Sequence, residues 1–169
     1  DPNTFTNLEG GIKWDLRPGL SLTAAVFEIE QSSPQIADNN PETLDVIDSE
    51  ITGFEAQLQG QVTESWYIAA GYSQLEGEQV NRSGPTGLQP RELPEQMLSL
   101  WNTYQVSHSL GLGLGLTHQD DSFINHSDTA FLPSYTRIDA AAFYDISPDF
   151  LVQVNIENMT FELYFPNSH

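Results

Sequence analysis

Residues 54–62 read Phe54-Glu55-Ala56-Gln57-Leu58-Gln59-Gly60-Gln61-Val62. After Thr63-Glu64-Ser65 the chain resumes as Trp66-Tyr67-Ile68-Ala69-Ala70-Gly71-Tyr72. Phe54, Ala56, Leu58, Gly60 and Val62 fall on one side of an extended chain, and the glutamate and three glutamines on the other. Trp66, Ile68, Ala70 and Tyr72 continue the apolar phase. Side chains alternate between faces in a strand and not in a helix, so a period of two predicts two strands joined by a tight turn.

The pattern continues in both directions. Upstream, Leu8, Gly10, Ile12, Trp14 and Leu16 oppose Glu9, Gly11, Lys13 and Asp15, and Leu20, Leu22, Ala24 and Val26 follow the turn Arg17-Pro18-Gly19. Downstream, Leu98, Leu100, Tyr104 and Val106 share a phase that Asn102 interrupts. Beyond Ser107-His108-Ser109, Leu110, Leu112, Leu114 and Leu116 face away from Gly111, Gly113 and Gly115. Ile138, Ala140, Ala142, Tyr144 and Ile146 oppose Asp139 and Asp145. Past Ser147-Pro148-Asp149, Val152, Val154 and Ile156 oppose Gln153, Asn155 and Glu157. The expectation is an all-β, antiparallel up-and-down meander of eight strands near residues 6–16, 20–30, 51–62, 66–78, 95–106, 110–119, 135–146 and 150–160, paired in sequence order.

The connections alternate in length. Four are short turns; the others are long and polar, at about residues 31–50, 79–94 and 119–134. Runs of roughly ten residues span a bilayer as tilted strands, and short turns at one end with long loops at the other are the habit of outer-membrane barrels. A soluble barrel also alternates, so the apolar face needs assigning. Its opposite phase is Gln, Ser, Thr, Asn and Gly with almost no Lys, unlike an ordinary water-exposed surface. Trp14, Trp66, Tyr104, Tyr144 and Phe150 sit within a few residues of the short turns, where an interfacial aromatic girdle belongs. Both features favour lipid.

Composition excludes several classes. The 169 residues suggest one domain, with no repeat of constant length. No run of eighteen apolar residues offers a membrane helix. Cysteine is absent, which removes disulfides and thiolate metal sites. With 24 acids against 5 bases the net charge is -19, and nucleic acid is excluded as a partner because phosphate binding needs clustered Lys and Arg. Glu28, Glu30, Asp38, Glu42, Asp45, Asp48 and Glu50 lie in or beside the first long loop, and Asp120, Asp121 and Asp128 in the third. A solvated, self-repelling surface explains them.

Several pieces resemble the barrel of TonB-dependent ferric-siderophore receptors. They are Asn7 to Glu30, Thr52-Gly53-Phe54-Glu55, Pro94 through Tyr104, Leu132-Pro133-Ser134-Tyr135-Thr136-Arg137-Ile138-Asp139, and Val154-Asn155-Ile156-Glu157-Asn158. The resemblance implies a barrel of about 22 strands around an N-terminal plug. It implies outer-membrane uptake of a ferric siderophore energised by the TonB complex, with no enzymatic role. Met159-Thr160-Phe161 stands where the family usually continues Leu-Phe-Asp. Plug and closing strand are expected to be missing, so that residues 1–169 form a partial barrel domain from the C-terminal part of the receptor. The TonB complex would then be met through that missing N-terminal part.

Candidate sites are few. Gly111-x-Gly113-x-Gly115 reads as a strand with a smooth inner face and not as a phosphate loop. His118, Asp120, Asp121, His126 and Asp128 could gather a metal, but a polar loop is the better reading. No catalytic constellation, cofactor or resident metal is expected. Receptors of this type meet their ligand at external loops and the upper inner wall, here the three long loops and the tail after about residue 160. Among these residues only Arg82 and Arg91, both in the second long loop, could attract an anionic chelate. Two alternatives stay open: a small porin-like or soluble barrel binding an apolar ligand in its lumen, and a secreted acidic β-rich adhesion module that binds calcium.

Overall fold

The four short turns each close a hairpin in the computed structural model, which describes residues 3–36, 44–81, 86–125 and 127–167. The elements are β1 (Thr4–Arg17), β2 (Leu20–Ile36), β3 (Leu44–Thr63), β4 (Trp66–Asn81), β5 (Thr86–Leu88), β6 (Gln96–Gln105), β7 (Leu110–Gln119), β8 (Ser122–Phe123), β9 (Phe131–Leu132), β10 (Tyr135–Ser147) and β11 (Phe150–Ile156). There is no helix among the described residues. The main sheet runs β1-β2-β3-β4-β6-β7-β10-β11, antiparallel throughout, with β5 attached to β4. This is the expected meander.

The register puts the apolar phases of all eight long strands on one face. One row runs Trp14, Leu22, Leu58, Ala70, Leu100, Leu116, Ile138, each directly opposite the next. The polar phase forms the other face, as in the row Lys13, Thr23, Gln57, Gly71, Ser99, Thr117, Arg137. Asn102, the lapse in the apolar phase, accepts a hydrogen bond from Trp66 Nε1 at 3.1 Å, so its polar group is satisfied within the face.

Nothing covers the apolar face. Only Leu20, Ala25 and Ala141 are buried hydrophobics among the described residues, while Leu8, Ile12, Trp14, Val26, Leu112, Leu114, Tyr144, Val154 and Ile156 stand exposed. The sheet is a single layer with no core of its own. β1 pairs only with β2 and β11 only with β10, and both are exposed along their full length. Among the described residues the sheet does not close on itself.

The long connections differ from expectation. Residues 31–36 and 44–50 are not loop: they continue β2 and β3, paired out to Ile36 opposite Leu44. The polar residues and Pro34 conceal this. Pro34 lies opposite Val46 within this pairing. β4 likewise runs to Asn81. The second loop carries β5, and the third folds into the small β8–β9 hairpin, so among the described residues three short strands accompany the eight of the meander. β11 ends at Ile156, short of residue 160. At about 3.3 Å per residue the twenty residues of β3 reach about 66 Å, well beyond what a tilted strand needs to cross the apolar core of a bilayer.

The apolar face ends before the strands do. Val26, Phe54 and Gln74 lie abreast; the next outward rows are Glu28, Thr52, Glu76 and then Glu30, Glu50, Glu78. Apolar residues give way to polar and then acidic ones within two rows on three adjacent strands. Like charges directly opposite are unfavourable in a sheet and are tolerated where water screens them.

At the opposite end the turns are fixed by backbone. Gly19 has φ +81, after Pro18. Gly60, with φ +138, lets β3 pass so close to this turn that a Cβ would lie 1.9 Å from Gly19 O. Gln61 N donates to Gly19 O at 2.8 Å. The Arg17 guanidinium reaches across to the carbonyls of Gln61 and Val62 and ties neighbouring turns together.

Candidate functional site

The polar face is lined at mid-height by a trough of about 550 Å³ over Gly71, between Gln57, Ser73, Ser99 and Trp101. A Cβ on Gly71 would meet nothing within 4 Å, so the trough is open there. The Trp101 ring lies flat across β7, because Cβ atoms on Gly113 or Gly115 would each come within 2.6 Å of it. Its Nε1 donates to Thr103 Oγ1 at 3.1 Å. The glycines expected to make a smooth strand face therefore have a specific purpose, seating one indole.

Above the trough the polar face turns apolar. Phe27 and Leu75 crowd over Gly53, and Pro90 and Leu93 over Gly77. The second loop is thus folded over the polar side of the sheet. It is stitched on by Leu75 N to Glu95 O (2.8 Å) and joined to the third loop by Glu92 N to Phe123 O (2.7 Å) and Gln89 N to Asp128 Oδ2 (3.1 Å). Glu92 and Asp128 take positive φ (56° and 50°) to make these contacts. The two loops act as one cap over the upper wall.

The sequence-expected residues are placed unevenly. Arg91 is exposed in the turn beside Pro90, within this cap. Arg82 lies outside the described residues, as does His126. His118 lies 2.8 Å from Thr136 Oγ1 through Nδ1 and 3.4 Å from Asp120 Oδ1 through Nε2. Asp128 instead holds the loop junction, and no three metal-ligating side chains gather among the described residues.

The cluster that sequence reading missed is at the start of β10. Tyr135, Arg137 and Asp139 project on the polar face at successive alternate positions. Arg137 Nε and Nη2 contact Asp139 Oδ2 at 3.1 and 3.0 Å. Arg137 Nη1 donates to the Tyr164 hydroxyl at 3.0 Å, and the Tyr164 ring stacks on Tyr135 with centroids 4.8 Å apart. Asp139 Oδ1 accepts from Asn158 N at 2.8 Å. The tail after β11 therefore folds back along β10. An isolated arginine in a polar phase gives no local signal of this; the partner lies 27 positions away.

The fold, the open apolar face and the capped polar face are those of a membrane-barrel wall. The family model described as TonB dependent receptor-like, beta-barrel matches residues 1–159. The chain belongs to this family of TonB-dependent receptor barrels. A probable TonB-dependent siderophore receptor, PiuA of Acinetobacter baumannii, is 34% identical over all of the chain and 24% of its own length. The crystal structure of that receptor superimposes with TM-score 0.87, covering 96% of this chain and 25% of the other. The ferripyoverdine receptor of the Pseudomonas aeruginosa outer membrane, at 24% identity, shares the fold with TM-score 0.78 over 99% of this chain and 24% of its own. The chain thus spans about a quarter of the length of the receptor barrels it matches.

Proposed function

We propose that the chain forms part of the wall of an outer-membrane receptor that takes up ferric siderophores, driven by the TonB complex of the inner membrane. The observation that carries this reading is its agreement, over its whole length, with a siderophore receptor of the same family. The geometry fits the role. The uncovered apolar face meets lipid, which offers no hydrogen-bond partners and so requires a closed barrel. The unpaired edges of β1 and β11 take further strands of that barrel, and the polar face looks into its lumen. A plug and a TonB-contacting segment belong to the N-terminal part of the same receptor, with this chain in the C-terminal part of its barrel. The chelate is met at the capped loops and the upper lumen wall and passes inward without chemical change by the wall.

The test uses the full-length receptor in an iron-starved Gram-negative strain from which it has been deleted. Restoring it should restore uptake of radioactive iron from one or more siderophores, and loss of TonB or of the proton gradient should abolish that uptake. Uptake that persists without TonB would refute the energised mechanism; no uptake from any chelate would refute the function.

A further inference from the structure

The arrangement around Tyr164 describes a binding site whose occupant is part of the chain itself. Three side chains are set on one face of β10. Tyr135 supplies a flat ring. Arg137 supplies a guanidinium locked by two contacts to Asp139. Asp139 is itself fixed by Asn158 N. Their backbone is held without Tyr164: β7 pairs with β10 from Tyr135 onward, and on the other side Met159 N donates to Ile138 O and Asn158 N to the Asp139 carboxylate. Into this frame Tyr164 places a phenol: its ring stacks on Tyr135 with 28° between the planes, its hydroxyl accepts from Arg137, and the Arg137 guanidinium carbon is 5.7 Å from the ring centre.

The segment that delivers the phenol is tied down chiefly at its start. Asn158 and Glu162 clamp each other by reciprocal bonds of 2.9 Å, and Met159 N donates to Ile138 O at 2.7 Å. Beyond Glu162 the chain has no regular secondary structure. Phe161 (92%), Leu163 (80%) and Phe165 (50%), the apolar residues around Tyr164, stand exposed and do not pack it down.

We propose that Tyr135, Arg137 and Asp139 form a seat for an aryl-hydroxyl group, a phenolate or catecholate arm of the incoming chelate, and that Tyr164 fills this seat until the arm displaces it. The proposal rests on the uptake reading and names the ligand chemistry of one place within it. An oxygen carrying negative charge outcompetes a neutral phenol at a guanidinium, because the attraction between opposite charges adds to a hydrogen bond that the arginine already makes charge-assisted. The ring keeps the same stacking partner. The position suits an early contact, since Tyr135 opens β10 at its long-loop end. In a chain with 5 basic residues, Arg137 is the arginine that the register puts on the lumen face.

The experiment measures binding of two ferric complexes to the full-length receptor in detergent: ferric 2,3-dihydroxybenzoate, which carries aryl hydroxyls, and ferric acetohydroxamate, which does not. Tyr164→Ala removes the internal competitor. It should tighten the aryl complex by more than about tenfold, since both the bond to Arg137 and the ring stack are lost, and leave the hydroxamate unchanged. Tyr164→Phe keeps the stack and loses only the bond to Arg137, so it should show a smaller gain in the same direction, about tenfold, the worth of one hydrogen bond to a charged group. It also decides the matter if the alanine variant does not fold. Tyr135→Leu should weaken the aryl complex alone. A Tyr164→Ala or Tyr164→Phe receptor that binds the aryl complex no better than wild type, or that changes equally for both probes, overturns the proposal while leaving the uptake reading intact. A wild-type receptor that takes up iron from siderophores yet binds neither probe also overturns it; one that takes up no chelate loses the uptake reading first.

Discussion

The effect of replacing Gly113 by alanine should change sign when the Trp101 ring that lies over it is removed. Alone in a strand, a glycine is worse than alanine by about 0.5 to 1 kcal/mol, because it loses more conformational freedom on folding. Here a Cβ at position 113 would lie 2.6 Å from Trp101 Cζ2 and 3.2 Å from Cη2. The indole cannot simply withdraw, since its Nε1 is held by Thr103. Overpacking of this kind costs about 1 to 3 kcal/mol, so Gly113→Ala should be net destabilising by about 1 to 2 kcal/mol. With Trp101→Ala already present only a 3.3 Å approach to Ala141 Cβ remains, and the same substitution should stabilise by up to several tenths of a kcal/mol. The coupling between the two positions is then about 2 kcal/mol, well above the additivity error for independent sites. Urea unfolding of the full-length receptor in detergent, followed by loss of heat-modifiable gel mobility, measures all four corners of the cycle. A Gly113→Ala effect of the same sign and size in both backgrounds would refute the account of why β7 carries glycine on its lumen face.

Gly60→Ala should cost about 3 kcal/mol or more in the same assay. It combines a positive φ worth about 1 to 3 kcal/mol with a backbone contact that only movement of the Gly19 turn relieves. A cost below about 1 kcal/mol would show that the two turns are not closely packed. The isolated 169-residue chain, with two unpaired edges and almost no buried apolar side chains, should not form a stable monomer in lipid; heat-resistant, fast-migrating monomer on electrophoresis would contradict this. Arg82→Ala with Arg91→Ala, in the full-length receptor, should weaken binding of anionic iron chelates and spare neutral ones. Unchanged affinity for every chelate tried would remove both as ligand contacts.

The strands were legible wherever both faces are constrained. Where one face is apolar and the other polar each residue is sorted by side, so Leu110 to Leu116 or Phe54 to Val62 can be read directly. Toward the long-loop end that sorting ends: Ser32, Ser33 and Pro34 are strand, yet polar pattern and proline both point to loop. Strand pairing continues there because backbone hydrogen bonds do not require an apolar face. The candidate site was less legible, because it consists of distant pairs. Gly77 beneath Pro90, Gly113 beneath Trp101 and Arg137 against Tyr164 each depend on register or on a folded-back tail, and neither leaves a local trace. Arg91, which the sequence did single out, is where the loop cap is, and its role rests on the binding measurement.

The assignment of faces is the central claim, and β7 tests it with fewest confounding side chains. Single nitroxide labels placed in turn at residues 110 to 116 of the full-length receptor in lipid vesicles would report collisions with dissolved oxygen, which concentrates in the bilayer, and with a water-soluble nickel chelate. The chain contains no native cysteine to interfere. Oxygen accessibility should peak at Leu110, Leu112, Leu114 and Leu116 and fall at Gly111, Gly113 and Gly115. An opposite phase, or no alternation, would mean that the leucine face does not meet lipid and that the barrel-wall account is wrong.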